Sequence, residues 1–382
     1  MTQKRLRIAL FTTSFPANGQ STVNAGVCVR DFAEALTAFG HEVWVLTPKK
    51  PDSRHEFVHA RTIYFPWLGE ADSLTHISYK SPVGLVRLGS IVAMGRHAGV
   101  RLLEEFEPDH VLCFWVFPSG YWVRGAGRRP DVPYSVWALG SDIWSLPKIP
   151  GMSGVIRRLA RDAAHCYADG VGLAKDFEAI AHRTVEFLPT SRVLEQPEGI
   201  TPGEGGYYLY LGRYHHNKGI DLLLEAVARA RHELPGDFRL RAHGFGPLEE
   251  AAREQVRSLG LGDIVEILGP TSSEEVPRVL ARARGVIVPS RIESVALVLG
   301  DALQMDLPVL VTGVGDMGVL VSEHDAGAVC SPSAAELARA LPEFVRNPPG
   351  SRAGRARLGA ILDIRESARR FLTAIGGSTA DA

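Results

Sequence analysis

The 382-residue chain has a formal net charge of −1, and 45% of its residues are hydrophobic and 22% charged. This composition is typical of a globular protein, and the length exceeds what one hydrophobic core usually supports, so we expect two domains. The near-neutral charge disfavours nucleic acid as the main partner, and no apolar run reaches the roughly 18 residues of a membrane-spanning helix.

The four cysteines, Cys28, Cys113, Cys166 and Cys330, are far apart in the sequence and form no CxxC pair. This spacing is typical of reduced thiols in a cytosolic protein and predicts neither a zinc site nor a disulfide framework. The apolar run that follows the N-terminal cations is only one strand long. We therefore expect no signal peptide and a cytoplasmic location.

The first half of the chain opens with a predicted βαβ unit. A strand at 7–11 is followed by a long polar loop, a helix at 27–39 and a strand at 42–47. The loop lies at the carboxyl end of a strand, where parallel sheets bind their ligands. The G-x-G-x-x-G pattern of dinucleotide folds is absent, since only Gly26 precedes the helix, and a hydride-transfer enzyme is not predicted.

A helix predicted at 83–106 carries Arg87, Arg96, His97 and Arg101 among apolar residues. One interpretation is a basic amphipathic surface that contacts anionic lipid at a membrane. The other is an ordinary domain helix whose cations are solvated.

The rest of this half continues the alternation of strands and helices. Strands are predicted at 110–114 and 134–138, the second running into the sequence GSDI, and a helix is predicted at 155–167. The stretch 189–206 is dense in Pro, Gly, Ser and Thr, which is typical of a linker. We place the domain boundary there.

The second half repeats the rhythm of the first. Its predicted strands lie at 207–211, 238–242, 264–268, 285–288 and 308–312, and its predicted helices at 220–232, 248–258, 274–283 and 295–304. Strands that alternate with helices in both halves predict an α/β fold with two doubly wound parallel sheets. The cleft between two such domains is the default position of a site.

The segment YYLYLGRYHHNKGID, which starts at Tyr207, predicts a buried strand that ends at Gly212, a loop with Arg213 and Lys218, and a helix start. A glycine at a strand end lets another group approach the backbone, and cations beside a helix N-terminus suit a dianionic diphosphate. The alternative is a strand-to-helix turn with two solvated cations. A second segment, PSRIESVALVLGDAL, places Glu293 and Asp301 around another helix start.

The order and spacing of these motifs resemble those of the GT-B fold retaining glycosyltransferases of family 4, the glycosyl transferases group 1. The motifs are FTTSFPANG, AGVCVRDFAEALTAFGHEVWVLTP, GSDI, LGRYHHNKGID, HGFGPL, PSRIESVALVLGDAL and DLPVLVTGVG. The resemblance covers almost the whole chain and implies two Rossmann-like domains that face a central cleft. It implies an acceptor-side domain at 1–190, a nucleotide-sugar domain at 191–365, and a last helix within 366–382 that crosses back to the first domain.

The resemblance implies roles for the charged residues of the second domain. The R-x4-K pair, Arg213 and Lys218, would bind the donor diphosphate and neutralise the leaving nucleoside diphosphate. The E-x7-E acids are Glu293, which would position the donor sugar, and Asp301, which would bind the ribose. The alternatives are a helix N-terminal acid for Glu293 and a solvated helix residue for Asp301.

The resemblance also implies roles for other site residues. Gly26 would let backbone amides face the donor phosphate, or it is a simple helix-entry glycine. Asp142 in GSDI would orient an acceptor hydroxyl, or it caps the helix that follows. Gly244 and Gly246 would shape the loop under the nucleobase, or they form a tight turn.

Several positions depart from the family pattern. Asp301 stands where the family usually has Glu, Ala296 where it often has Gly, Val319 where an acid is common, and Leu139 where a His precedes GSD. The frequent His near Phe114 is also missing. These departures concern acceptor-side chemistry and leave the diphosphate pair intact.

The sequence therefore predicts a retaining, metal-independent transferase that moves a hexose from a UDP-sugar or GDP-sugar to a hydroxyl of a glycan or lipid-linked acceptor. Such a reaction would serve the synthesis of a cell-surface polysaccharide or glycolipid. No cofactor is expected, and no D-x-D pair is present to hold a metal on the diphosphate. The alternatives are a GT-B sugar-nucleotide epimerase or hydrolase, and a catalytically silent subunit that binds a nucleotide sugar.

Overall fold

The computed structural model describes residues 4–16, 26–50, 60–69, 81–124 and 132–380. The chain divides into two compact units, of which the first comprises Met1–Pro189 with Ile364–Ala382 and the second Thr190–Asp363. Each unit is an α/β fold around a parallel sheet.

In the first unit, seven strands within the described residues form a parallel sheet in the order β3-β2-β1-β4-β5-β6-β7. The elements are β1 Arg7–Phe11, α1 Val27–Ala38, β2 Glu42–Pro48, β3 Arg61–Phe65, α2 Pro82–Phe106, β4 His110–Phe114, α3 Ser119–Arg124, β5 Tyr134–Ala138, α4 Ser141–Trp144, α5 Met152–Asp162, β6 Cys166–Ala168, α6 Val171–Ala181 and β7 Glu186–Phe187. Strands β1, β4 and β5 are mostly apolar and almost wholly buried because helices cover both faces of the sheet.

Successive side chains of β1 point to opposite faces of the sheet and belong to two hydrophobic cores. Ala9 and Phe11 pack on the face covered by α2, α3, α5 and α6, whereas Ile8 and Leu10 pack on the face covered by α1. All four side chains are fully buried, as expected for a central strand of a doubly wound sheet.

In the second unit, six strands of the described chain form a parallel sheet in the order β10-β9-β8-β11-β12-β13. The elements are α7 Ile220–Ala230, α8 Glu249–Ser258, α9 Val276–Arg282, α10 Leu297–Gln304, α11 Met317–Glu323, α12 Ala334–Arg346 and α13 Arg352–Ile361, with β8 Tyr207–Leu211, β9 Leu240–His243, β10 Val265–Leu268, β11 Ala283–Val288, β12 Val309–Thr312 and β13 Ala328–Cys330. Helices α7, α8 and α12 cover one face of this sheet. The predicted α/β fold with two doubly wound sheets is confirmed.

The last helix, α14, spans Ile364–Ile375 and belongs to the first unit, where it packs against α1. The ring of Phe371 lies edge-on to Phe32, with centroids 5.7 Å apart, and Ser367 Oγ donates a hydrogen bond of 2.8 Å to the Pro189 carbonyl oxygen. Helix α14 therefore completes the layer that α1 begins. Within the described ranges, no helix combines the length and apolarity needed to cross a membrane.

One predicted element is wrong in part. The helix predicted at 155–167 ends at Asp162, and Cys166–Ala168 form β6 beside β5. Residues 166–168 are apolar and buried, and a short apolar run fits a helix turn and a buried strand equally well. The pairing of Val136 with Cys166 across the sheet decides the outcome, and no local pattern encodes that pairing.

We expect Phe371→Ala to lower the free energy of unfolding of the first unit by about 3–5 kcal/mol, because it empties a fully buried site between α1 and the sheet. All six tryptophans lie within residues 1–189, so tryptophan fluorescence during urea unfolding reports on this unit alone. The control is Thr373→Ala on the exposed side of α14, which should change stability by less than about 0.5 kcal/mol. Equal effects of the two substitutions would contradict the packing role of α14.

Candidate functional site

The loop after β8 carries the two predicted cations. The hydroxyl of Tyr210 donates a hydrogen bond of 2.8 Å to the Arg213 carbonyl oxygen, which fixes the backbone at the strand end while the Arg213 side chain is exposed. A 3-10 turn at His216–Lys218 then leads into α7, and His215 Nδ1 accepts from the Asn217 amide at 3.2 Å. The loop therefore holds its cations at the carboxyl end of a central strand, where ligands of such sheets bind.

Lys218 forms an ion pair with Glu293, which lies in the loop after β11. The side chain of Glu293 is 15% exposed and that of Lys218 33% exposed, so the pair is partly shielded from solvent. The structure thus brings together the second residue of the R-x4-K pair and the first acid of the E-x7-E motif. The pairing explains how two residues 75 positions apart in the sequence still form one site.

A second ion pair, which the sequence motifs did not indicate, joins the loop after β11 to the first turn of α7. Arg291 Nη1 and Nη2 donate to Asp221 Oδ1 and Oδ2 at 2.7 and 2.6 Å, and Nη1 also donates to the His216 carbonyl oxygen at 2.8 Å. The Arg291 amide donates to the Asn217 carbonyl oxygen at 2.7 Å. The available signal was an acid in the first turn of one helix and an arginine two residues before Glu293.

The positive charge of the loop after β8 affects the pKa of His215, which lies in the same loop. Desolvation first, and then the charges of Arg213, His216 and Lys218, lower the pKa of His215. The positive charge of the loop therefore disfavours protonation of His215. For Asp221 two effects oppose each other. Burial acts to raise the pKa of Asp221, but the hydrogen bonds and charge of Arg291 hold this pKa below its ordinary value.

Gly244 lies where two strand ends approach closely. A Cβ at Gly244 would lie 1.9 Å from the Gly212 carbonyl oxygen, so a side chain at this position would push the loops after β8 and β9 apart. A Cβ at Gly212 would instead make an ordinary contact of 3.5 Å with the Tyr210 hydroxyl. The loop after β9 therefore approaches the backbone at Gly212 closely, and this approach depends on Gly244. Contact of either glycine with a nucleotide remains a prediction.

Glu293 and Asp301 stand in different environments. Helix α10 begins at Leu297, two residues later than predicted, and Glu293 precedes it in a loop. Asp301 lies inside α10 and is 1% exposed, and both of its carboxylate oxygens accept hydrogen bonds from Arg192. A solvated helix residue, the alternative reading of Asp301, is therefore wrong. Its predicted ribose contact remains a prediction.

In the first unit, Gly26 is the residue before α1 and has φ +83°, which favours glycine. A Cβ there would lie 2.3 Å from the Ser14 carbonyl oxygen, so the start of α1 is pressed against the segment that follows β1. The part of the predicted loop at 17–25 lies outside the described residues. The geometry explains why glycine occurs here, and a role at a donor phosphate remains a prediction.

Asp142 lies in α4, is 1% exposed, and binds backbone amides at the ends of two strands. Its Oδ2 accepts from the Val116 amide at 2.8 Å and its Oδ1 from the Leu139 amide at 3.1 Å. The carboxylate therefore joins the carboxyl ends of β4 and β5. The predicted orientation of an acceptor hydroxyl by Asp142 is not tested by these contacts and remains a prediction.

Two family models match the chain in successive segments. The model described as a glycosyl transferase 4-like domain matches residues 25–189, and the model described as glycosyl transferases group 1 matches residues 205–347. The chain belongs to the glycosyl transferases group 1 family. Arg213, Lys218, Glu293 and Asp301 all lie within the segment that the group 1 model matches.

Solved structures show that this member of the family has the GT-B fold. Sucrose-phosphate synthase from Thermosynechococcus elongatus is 18% identical with a TM-score of 0.73. The superposition covers 97% of this chain and 98% of the synthase chain. HepE from Anabaena, solved in complex with UDP and glucose, is 16% identical with a TM-score of 0.69, and covers 97% of this chain and 99% of its own. At these identities the similarity shows the fold alone.

Curated relatives match part of the chain. A D-inositol 3-phosphate glycosyltransferase of Corynebacterium aurimucosum is 32% identical over 147 residues, which is 37% of this chain and 35% of the relative. The alpha-D-kanosaminyltransferase of Streptomyces kanamyceticus is 28% identical over 141 residues, which is 37% of this chain and 36% of the relative. The chain thus spans about a third of the length of these relatives.

The buried position of Asp142 predicts a pH effect. Burial raises the pKa of Asp142 to about 6, although hydrogen bonds from the Val116 and Leu139 amides act to lower it. Because the folded-state pKa lies above the unfolded value, this group stabilises the fold fully below about pH 4, and that contribution is lost as the pH rises through about 6.

Asp142→Asn removes this titration. The stability of the variant relative to the natural protein should therefore rise by roughly 2–3 kcal/mol between pH 4 and pH 7. Urea unfolding followed by tryptophan fluorescence at several pH values measures the difference. A difference that stays constant across this range would show that Asp142 titrates normally.

Proposed function

We propose that the second unit binds the diphosphate of a UDP-sugar or GDP-sugar and that the protein transfers the hexose to a hydroxyl of a glycan or lipid-linked acceptor. The observation that carries the proposal is the ion pair between Lys218, which lies in the same loop as Arg213, and Glu293, at the carboxyl ends of β8 and β11. The complex of HepE with UDP and glucose supports a uridine nucleotide as the first donor to test. No further cofactor is required by the proposal.

The proposed reaction retains configuration at the anomeric carbon and uses no metal. The bond between that carbon and the diphosphate oxygen breaks, a bond to the acceptor oxygen forms on the same face, and the departing phosphate takes the acceptor proton. Arg213 and Lys218 stabilise the negative charge that develops on the leaving group. An ammonium has three N–H donors, so Lys218 can bind Glu293 and a phosphate oxygen together.

In this proposal Glu293 has two tasks. Its carboxylate holds the Lys218 ammonium in place, and it accepts hydrogen bonds from hydroxyls of the donor sugar. The amides at the start of α10, four residues further on, add a partial positive charge that favours the phosphate. Gly26 and Asp142 remain proposed contacts of the first unit, to the donor phosphate and the acceptor hydroxyl respectively.

We expect Arg213→Ala and Lys218→Ala each to weaken binding of the nucleoside diphosphate by about one to two decades, because each removes a charge-assisted contact worth roughly 1.5–3 kcal/mol. Isothermal titration calorimetry with UDP and GDP measures the effect. The control is Arg229→Ala, an exposed cation on α7 that pairs with Glu225 and should leave affinity unchanged. Unchanged binding in both site variants would refute the diphosphate site.

Turnover of a donor panel, with and without acceptors, tests the reaction itself. Release of nucleoside diphosphate that requires an acceptor supports the transferase. Conversion of the donor alone supports an epimerase or hydrolase, and binding without turnover supports a silent subunit. The anomeric configuration of the product, measured by NMR, decides whether the transfer retains configuration.

The proposal includes contact of the first unit with a membrane surface. Four large apolar side chains in the N-terminal half of α2 are exposed, namely Val83, Leu85, Val86 and Met94. Exposed Arg96 and Arg101 follow on the same helix, which contains no acid before Glu104. Apolar side chains and cations side by side suit an anionic lipid surface, which would also present a lipid-linked acceptor.

We expect the protein to bind vesicles of phosphatidylcholine with phosphatidylglycerol more tightly as the anionic fraction rises, and to dissociate at high salt. Cosedimentation measures the bound fraction. Val86→Ser with Arg101→Gln should weaken binding, whereas Arg161→Gln, an exposed cation on α5, should not. Binding that is equal on neutral and anionic vesicles, or absent from both, would contradict the contact.

A further inference from the structure

Arg192 and Asp301 form an ion pair inside the second unit. Arg192 Nε donates to Asp301 Oδ1 at 2.8 Å and Nη2 donates to Oδ2 at 2.5 Å, so the guanidinium and the carboxylate meet as two parallel hydrogen bonds. The side chains are 4% and 1% exposed. A fork of this geometry is among the strongest charge-assisted contacts in proteins.

The same segment of chain is bound to α10 at a second point. Gln304 Nε2 donates to the Arg192 carbonyl oxygen at 2.7 Å, and Gln304 Oε1 accepts from the Leu194 amide at 3.0 Å. Gln196 Nε2 donates to the Gln304 carbonyl oxygen at 3.0 Å. The residues just after the start of the second unit are therefore tied to α10 through both side chains and backbone.

This arrangement conflicts with a donor contact at Asp301. Both of its oxygens bind Arg192, and its side chain has almost no exposed surface that a ribose hydroxyl could reach. Separating the pair would leave two buried charges without compensation, which is strongly unfavourable. Asp301 also has one methylene less than the glutamate that the family usually carries at this position.

We propose that Arg192 and Asp301 together anchor α10, and that neither residue contacts the donor. Helix α10 starts four residues after Glu293, so fixing its body fixes the loop that presents Glu293 and the helix amides. Arg192 is in this sense a positioning residue. The inference rests on the proposed donor site, because the position of Glu293 matters for function only if that site binds a nucleotide sugar.

The experiment compares the natural protein with Arg192→Met, Asp301→Leu and the double variant. Each single variant leaves one buried charge unpaired, whereas the double variant replaces the pair with two apolar side chains, a change that buried ion pairs often tolerate. Calorimetric unfolding measures stability, and tryptophan fluorescence identifies the transition of the first unit. Binding is measured with UDP or GDP, whichever binds more tightly, and with its 2′,3′-dideoxy analogue.

We expect both single variants to unfold at a lower temperature in the transition of the second unit, and the double variant to recover most of the loss. The double variant should bind the nucleoside diphosphate within about threefold of the natural protein, which corresponds to less than 1 kcal/mol. Its preference for the ribose ligand over the dideoxy analogue should equal that of the natural protein. The kcat should fall in Arg192→Met and recover in the double variant.

The opposite pattern would overturn the anchor. A double variant that binds the ribose ligand about tenfold more weakly, with binding of the dideoxy analogue unchanged, would show that Asp301 contacts the ribose. Single variants that unfold at the natural temperature would show that the pair does not hold α10. If the single variants do not fold, the test is whether the affinities of the two ligands differ between the natural protein and the double variant. If the natural protein binds neither nucleotide, the proposed function fails while the unfolding temperatures still test the anchor.

Discussion

The ion pair between Lys218 and Glu293 is the contact on which the candidate site depends. It joins the loops after β8 and β11, two strands that are neighbours in the sheet although their loops are far apart in the sequence. Arg291 and Asp221 make a second connection, between the loop after β11 and the first turn of α7, which directly follows the loop after β8. Together the two pairs determine the distance between a lysine and an acid that would otherwise move independently, and such preorganisation is what an electrostatic site requires.

The acids of the predicted site differ in the groups of the protein that their carboxylates bind and in how deeply they are buried. Asp142 binds two backbone amides and Asp301 binds an arginine, so both stabilise internal structure. Glu293 binds a lysine that retains partial exposure. A carboxylate that binds a partly exposed ammonium can also take part in ligand binding, whereas a fully buried carboxylate whose donors are buried is first a structural element.

Much of the fold follows from sequence periodicity, because buried central strands and amphipathic helices alternate along the chain. The R-x4-K spacing was informative for the same reason, since it lies at a strand end that the pattern identifies. The pairing of Arg192 with Asp301 was not predictable in this way. It joins a residue in a linker-like segment to one inside a helix, and the local pattern of neither residue indicates burial of its charge. The strand at Cys166–Ala168 was missed because cross-sheet pairing, and not local spacing, decides its structure.

Helix α14 has a consequence for the order in which the chain folds during synthesis. The first unit combines Met1–Pro189 with Ile364–Ala382, so its α1 layer stays incomplete until the ribosome has made the second unit in between. The second unit is continuous and can close its core earlier. The contact of Phe32 with Phe371 is therefore made after the second unit has been synthesised, whereas the contacts of Phe32 with Phe114 and Trp137 can form earlier.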